Sequence, residues 1–191
     1  PLKRLLISDI LVRFCEQIPY AFVVVWCMKT IQAPVTAFQF GILTSIEMAT
    51  ASLVYIPVAY LADKAPRNLL LSSHSRFFTL FPPMLLFSQS FVWLIFAFII
   101  RGLKEFGEPT RKALIMDLAP EDRKADMFGL YYLVRDVFVS VAAFGGAFLW
   151  QVGPAANFLT ACSFGLFGTI GFAIWGNDLS KETDTIFVSD T

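Results

Sequence analysis

Charge is scarce in this chain, and what there is cancels. Its 191 residues carry 15 Lys and Arg against 15 Asp and Glu, a formal charge of zero at pH 7. That balance excludes the basic face that binding nucleic acid requires. Cysteine occurs three times and histidine once. So few give neither a disulfide scaffold nor a His/Cys metal site, and no cofactor is expected. Period-two alternation is also absent, which argues against a transmembrane barrel. What the chain has in abundance is apolar surface: 57% hydrophobic residues, 21 Phe and a mean hydropathy of +0.65. Only 16% of its residues are charged, against roughly 25% in a soluble domain. An all-α polytopic membrane protein fits, with the lipid bilayer as its first partner.

A spanning helix needs about 20 mostly apolar residues. Six such runs can be read, at 5–28, 38–61, 69–87, 90–109, 127–150 and 156–175. The breaks between them are Lys29–Ala37, Ala62–Asn68, Ser88–Gln89, Thr110–Asp126 and Gln151–Ala155. Residues 1–176 would form one six-helix domain and 177–191 a cytoplasmic tail. Six crossings put both termini and the second and fourth breaks on one side. That side holds Lys3, Arg4, Lys64, Arg67, Arg111, Lys112, Arg123, Lys124 and Lys181, while the other holds Lys29 alone. Basic loops stay inside, so the termini should be cytoplasmic, and the plasma membrane of a bacterium is the expected location. Cys15, Cys27 and Cys162 fall within runs and read as buried small hydrophobes. The first run carries Arg13 and Glu16, which no signal peptide does.

Ionisable groups at bilayer depth normally face a cavity or a partner. In the first run Asp9, Arg13, Glu16, Gln17 and Tyr20 fall on one helical face, with Arg13 and Glu16 spaced to pair. Pro19 sits inside that stripe and should weaken the helix there. The fourth run repeats the pattern with Arg101, Glu105, Glu108 and Lys112, flanked by Lys104 and Arg111. Its spacing predicts the pairs Arg101–Glu105 and Glu108–Lys112. Glu47 lies in the second run, Arg135 and Asp136 in the fifth, and the sixth has no charge. Polar stripes three runs apart suggest two inverted three-helix repeats. The first and fourth helices would line a path for a small-molecule solute, and the third and sixth would face lipid. Along that path stand Arg13, Glu16, Gln17, Tyr20, Glu47, Arg101, Lys104, Glu105 and Glu108.

The second break reads Ala59-Tyr60-Leu61-Ala62-Asp63-Lys64-Ala65-Pro66-Arg67. The fourth run reads Arg101-Gly102-Leu103-Lys104-Glu105-Phe106-Gly107-Glu108-Pro109 and continues to Asp117, Pro120, Arg123-Lys124 and Phe128-Gly129-Leu130. Phe144-Gly145-Gly146-Ala147 follows as a close-packing patch. Over residues 4–176 the chain resembles the major facilitator superfamily. The second break resembles that family's Gly-x-Leu-Ala-Asp-Arg-x-Gly-Arg-Arg loop, although Ala59 and Pro66 stand where the pattern has Gly. The resemblance implies a secondary transporter of twelve helices, in which this chain supplies one six-helix half and needs the other half as partner. The basic start and acidic tail suggest the C-terminal half. By the same analogy Asp63, Lys64, Arg67, Asp117 and Arg123 would be cytoplasmic gating charges. Glu16, Glu47, Glu105 or Glu108 would carry a proton if transport is proton-coupled.

Two other classes fit worse. An intramembrane serine protease would need a Gly-x-Ser-x-Gly setting, and Ser163 lacks the first Gly. A six-helix channel subunit would need a filter-like loop or a ladder of Arg, and neither is present. The alternatives to a transporter half are that channel subunit or a non-transporting membrane scaffold, and no enzyme activity is expected.

One segment is out of pattern. The third run opens Leu69-Leu70-Leu71-Ser72-Ser73-His74-Ser75-Arg76, which is polar where a plain apolar helix is expected. Lys64–Arg76 can be written in synonymous codons that, read from the last base of the Lys64 codon, give Gly-Thr-Lys-Lys-Pro-Phe-Val-Val-Ile-Thr-Phe-Thr. That string restores both the basic pair after Asp63 and an apolar helix start. A local shift of reading frame therefore predicts compensating single-base changes near the codons for Lys64 and Arg76. Sequencing the source DNA across them checks it, and codons incompatible with the shifted string would refute it. Read literally, Arg76 must reach for the headgroups or distort its helix.

Overall fold

The computed structural model describes the backbone of residues 2–62 and 67–189, with side chains except at 59, 61, 62, 67–72, 121 and 175–189. The regular structure among the described residues is helical. It comprises α1 (Leu2–Tyr20), α2 (Phe22–Val25) with a π-helical turn Trp26–Thr30, α3 (Ala37–Ala62) and α4 (Arg67–Phe87). Then come α5 (Phe91–Leu103), a 3-10 turn Lys104–Gly107, α6 (Glu108–Asp117), a 3-10 turn Glu121–Arg123, α7 (Lys124–Val152) and α8 (Pro154–Ser189). Three stretches are long and apolar enough to cross a membrane: Ala37–Val58, Lys124–Val152 and Pro154–Ile174. Leu2–Tyr20 with Phe22–Thr30, bent by 42°, would make a fourth. Among the described residues the other two runs do not qualify. The first half of α4 is polar, and α5 stops after 13 residues.

The breaks have local causes. Pro19 brings no backbone N–H, and α1 ends one residue later before the chain resumes as α2. Thr36 and Gln39 open α3 as a capping box. The Gln39 N–H donates to Thr36 Oγ1 at 3.2 Å, and the Thr36 N–H donates to Gln39 Oε1 at 2.9 Å. Gly153 separates α7 from α8 at φ 155°, a backbone region closed to other residues, and Pro154 then starts α8. Two boundaries differ from the sequence reading. Pro109 begins α6 instead of ending the fourth run, because a helix's first turn has no use for the missing N–H. The fourth break thereby shrinks to the stretch around Leu118–Arg123. The tail from 177 continues α8 as helix to Ser189.

Packing centres on α8, which lies along α4 and α1; α1 also lies along α7, and α3 lies along α5. One apolar cluster joins Trp26, Leu43, Phe81, Leu94, Phe98 and Phe158, and the Trp26 indole donates to the Leu85 carbonyl at 3.0 Å. At the same end the 31–36 loop is tied to the 88–89 turn, with the Ala33 N–H donating to the Gln89 carbonyl at 3.2 Å. A second cluster joins Leu5, Val12, Phe78, Leu114, Ile115 and Phe172. Cys15 and Cys27 are buried and Cys162 is half-buried. Leu80, Phe87, Phe144, Leu166, Phe167 and Ile174 are exposed.

The small-residue patch on α7 works through one glycine. Gly146 is buried against the Ile18 carbonyl, so any side chain there meets backbone. Asn157, fully buried on α8, stitches the same place, donating to the Gly146 carbonyl at 2.9 Å and to the Ile18 carbonyl at 3.3 Å. Gly145 beside it has open space where a Cβ would stand. Gly146→Val is therefore expected to destabilise the protein by about 1–3 kcal/mol through overpacking. Gly145→Val should be close to neutral. Thermal unfolding of both variants in detergent checks the contrast.

Candidate functional site

The charged residues on α1 recur at steps of four and three, so Asp9, Arg13 and Glu16 project from one face. Opposite them stands the interrupted helix α5–α6. Two glycines let it come close. A Cβ on Gly102 would lie 2.6 Å from the Glu47 carbonyl oxygen, and Gly107 sits directly against His74. The 3-10 turn Lys104–Gly107 then sets Arg101 toward α3, Lys104 between α3 and α1, and Glu108 and Arg111 toward α1.

The result is an alternating ladder of ten charges. Arg101 Nε lies 3.2 Å from Glu47, which lies 3.9 Å from Lys104 Nζ. Lys104 pairs with Glu16, and Glu16 lies 2.7 Å from Arg13. Arg13 pairs with Glu108, which lies 2.6 Å from Arg111. Arg111 pairs with Asp9, Asp9 lies 3.7 Å from Arg135, and Arg135 lies 2.7 Å from Asp136. Five cations and five carboxylates take turns, and at no step do like charges adjoin. Tyr131 adds a hydroxyl donated to Asp9 at 3.2 Å, and the Tyr132 ring lies 4.2 Å under the Arg135 guanidinium.

At the Glu47 end the ladder opens. Glu16, Tyr20, Thr44, Glu47, Arg101 and Lys104 line a cavity of about 530 Å³, with Phe40 and Met48 at its sides. At the other end Arg111 and Asp9 are each 1% exposed, whereas the terminal Asp136 is exposed. Among the described residues no group of His, Cys, Asp or Glu is placed to hold a metal ion.

The path residues read from the sequence divide accordingly. Arg13, Glu16, Glu47, Arg101, Lys104 and Glu108 meet in the ladder, and Tyr20 stands exposed at the cavity. Gln17 is half-buried and outside the ladder. Glu105 turns away, accepting from the Tyr55 hydroxyl at 3.3 Å. The pair Arg101–Glu105 does not form, because the 3-10 turn breaks the helical register between them, and Glu108 pairs with Arg13 and Arg111 instead of with Lys112. Of the gating set, Asp63 and Lys64 lie outside the described residues, as does the Arg67 side chain. Asp117 ends α6, half-buried, and Arg123 is exposed.

The sequence reading assigned Arg111 to a cytoplasmic loop, whereas it is the largest fully buried side chain on α6. Asp9 and Arg135 also belong to the site. The available signal was helical: Arg111 lies one turn beyond Glu108, and α1 carries Asp9 one turn before Arg13. Arg111→Leu would leave Asp9 and Glu108 short of a cation, and losing one partner of a buried pair costs about 3–5 kcal/mol. The double variant Asp9→Asn/Arg111→Leu should recover part of that loss. A double-mutant cycle on thermal unfolding in detergent measures both.

A search of curated proteins gives no match to the chain. A family model described as Major Facilitator Superfamily matches residues 5–185. The match runs from the first turn of α1 to the last turns of α8 and takes in every charge of the ladder. The chain belongs to the major facilitator superfamily of integral-membrane transporters.

Proposed function

We propose that this chain is one six-helix half of a secondary active transporter, built as two inverted three-helix repeats. It moves a small solute by alternating access with a second half as its partner, in a bacterial plasma membrane with cytoplasmic termini. The observation that carries this reading is the open end of the ladder. Four charges, Glu16, Glu47, Arg101 and Lys104, line a cavity instead of being sealed inside the bundle. Charges kept only to hold helices together would have no reason to face open space.

The packing supports the repeat. Let α1–α2, α3 and α4 stand for helices one to three, and α5–α6, α7 and α8 for four to six. Exchanging one with four, two with five and three with six turns α1·α7 into α3·α5, and α1·α8 into the pairing of α4 with α5 and its 3-10 turn. The α4·α8 pairing maps onto itself. If transport is proton-coupled, Glu47 is the cavity carboxylate that would exchange the proton, since Glu16 is paired with both Lys104 and Arg13. Asp63, Lys64, Arg67, Asp117 and Arg123 serve as the gating charges that favour one arrangement of the halves over the other.

Alternating access makes a specific demand on the cavity wall. In the full-length protein reconstituted in vesicles, a cysteine at Met48, exposed beside Glu47, should react with a membrane-impermeant maleimide from either side of the membrane. No ion conductance should accompany this. Labelling from one side only would refute alternating access, and unitary current steps would favour a channel subunit.

A further inference from the structure

We infer that the solute is a zwitterion, a molecule with one anionic and one cationic end, held between Arg101 and Glu47. The inference rests on the transport reading and names the ligand class of its cavity. It comes from a difference in how the ladder is closed. Among the described residues every other carboxylate of the ladder accepts a hydrogen bond: Asp9 from Arg111 and Tyr131, Glu16 from Arg13 and Lys104, Glu108 from Arg13 and Arg111, Asp136 from Arg135. Glu47 accepts none, although it is 4% exposed and its two cations stand at 3.2 and 3.9 Å. Arg101 is likewise the one cation of the ladder that donates none. Its approach to Glu47 is through Nε, and its guanidinium lies 5.3 Å from the Phe81 ring centroid and 5.7 Å from that of Phe98.

The least coordinated anion and the least coordinated cation of the network are therefore neighbours, and both line the cavity. The Nη fork of Arg101 suits a carboxylate or a similar planar anion. Glu47 suits an ammonium group, for which it offers acceptor capacity that Arg101 and Lys104 leave unused. A solute with a single charge would satisfy one of the two and leave the other's pairing further disturbed. A zwitterion completes both and leaves the ladder neutral. At about 530 Å³ the space lies within the usual range for small-molecule sites.

The test is binding to the full-length protein in detergent, read as a shift in thermal unfolding. The probes share one carbon skeleton: delta-aminovalerate, valerate, pentylammonium and valeramide. Delta-aminovalerate should bind at least about tenfold more tightly than each of the others, the scale of one charge-assisted hydrogen bond. Arg101→Gln should abolish that advantage and leave pentylammonium at least as good a ligand as the zwitterion. Glu47→Gln should do the same in favour of valerate. A purely structural role for the two residues would weaken all four probes alike. If valeramide or a singly charged probe binds as tightly as delta-aminovalerate, the zwitterion assignment is wrong while the transport reading stands. Failure of all four to bind also refutes it, and two-sided labelling of Met48→Cys then judges the transport reading separately.

Discussion

A charge inside a bilayer is tolerable only when an opposite charge or a hydrogen bond answers it, and this chain answers ten of them against one another. The ladder from Arg101 to Asp136 is the constraint around which the helices are arranged. It draws on α1, α3, α5, the 3-10 turn, α6 and α7, so none of these can shift far without separating a pair. Strict alternation matters more than the number of contacts. Each inner charge has opposite charges on both sides, which lowers its self-energy without fixing it to a single partner.

Close approach of helices is the second condition, and glycine supplies it at selected points. Gly102 and Gly107 let α5 and the following turn lie against α3 and α4, which carries Arg101 to Glu47. Gly146 does the corresponding service between α7 and α1, where Asn157 binds backbone carbonyls of both helices. The apolar clusters at the two ends of the bundle hold the helices together without specifying register. Register comes from these glycine contacts and from the charges.

Helical class, the four apolar runs that became α1–α2, α3, α7 and α8, and the bend near Pro19 were legible because they depend on local chemistry. So was the Arg13–Glu16 pair, whose partners are one turn apart. The rest of the ladder was not, since Arg13–Glu108, Lys104–Glu16 and Arg111–Asp9 join residues on different helices, and periodicity says nothing of which helices touch. The 3-10 turn at Lys104–Gly107 misled the reading twice. It rotated Glu105 away from the path, and it allowed Pro109 to open a new helix in which Arg111 is interior. His74, out of pattern in the sequence, is buried against Gly107 with its Nδ1 beside the Lys104 carbonyl, while Arg76 is exposed.

The long sequence separations within the ladder also bear on how the protein is made. Asp9 and Glu16 on α1 outnumber Arg13 by one negative charge, and their outside partners Arg111 and Lys104 follow 102 and 88 residues later. At ribosomal rates of about 5–20 residues per second, the first helix waits for roughly 5–20 seconds before its charges are matched. An unmatched charge at bilayer depth costs about 2.5–3.5 kcal/mol, so α1 reaches its full stability in lipid only once α5 and α6 have been made.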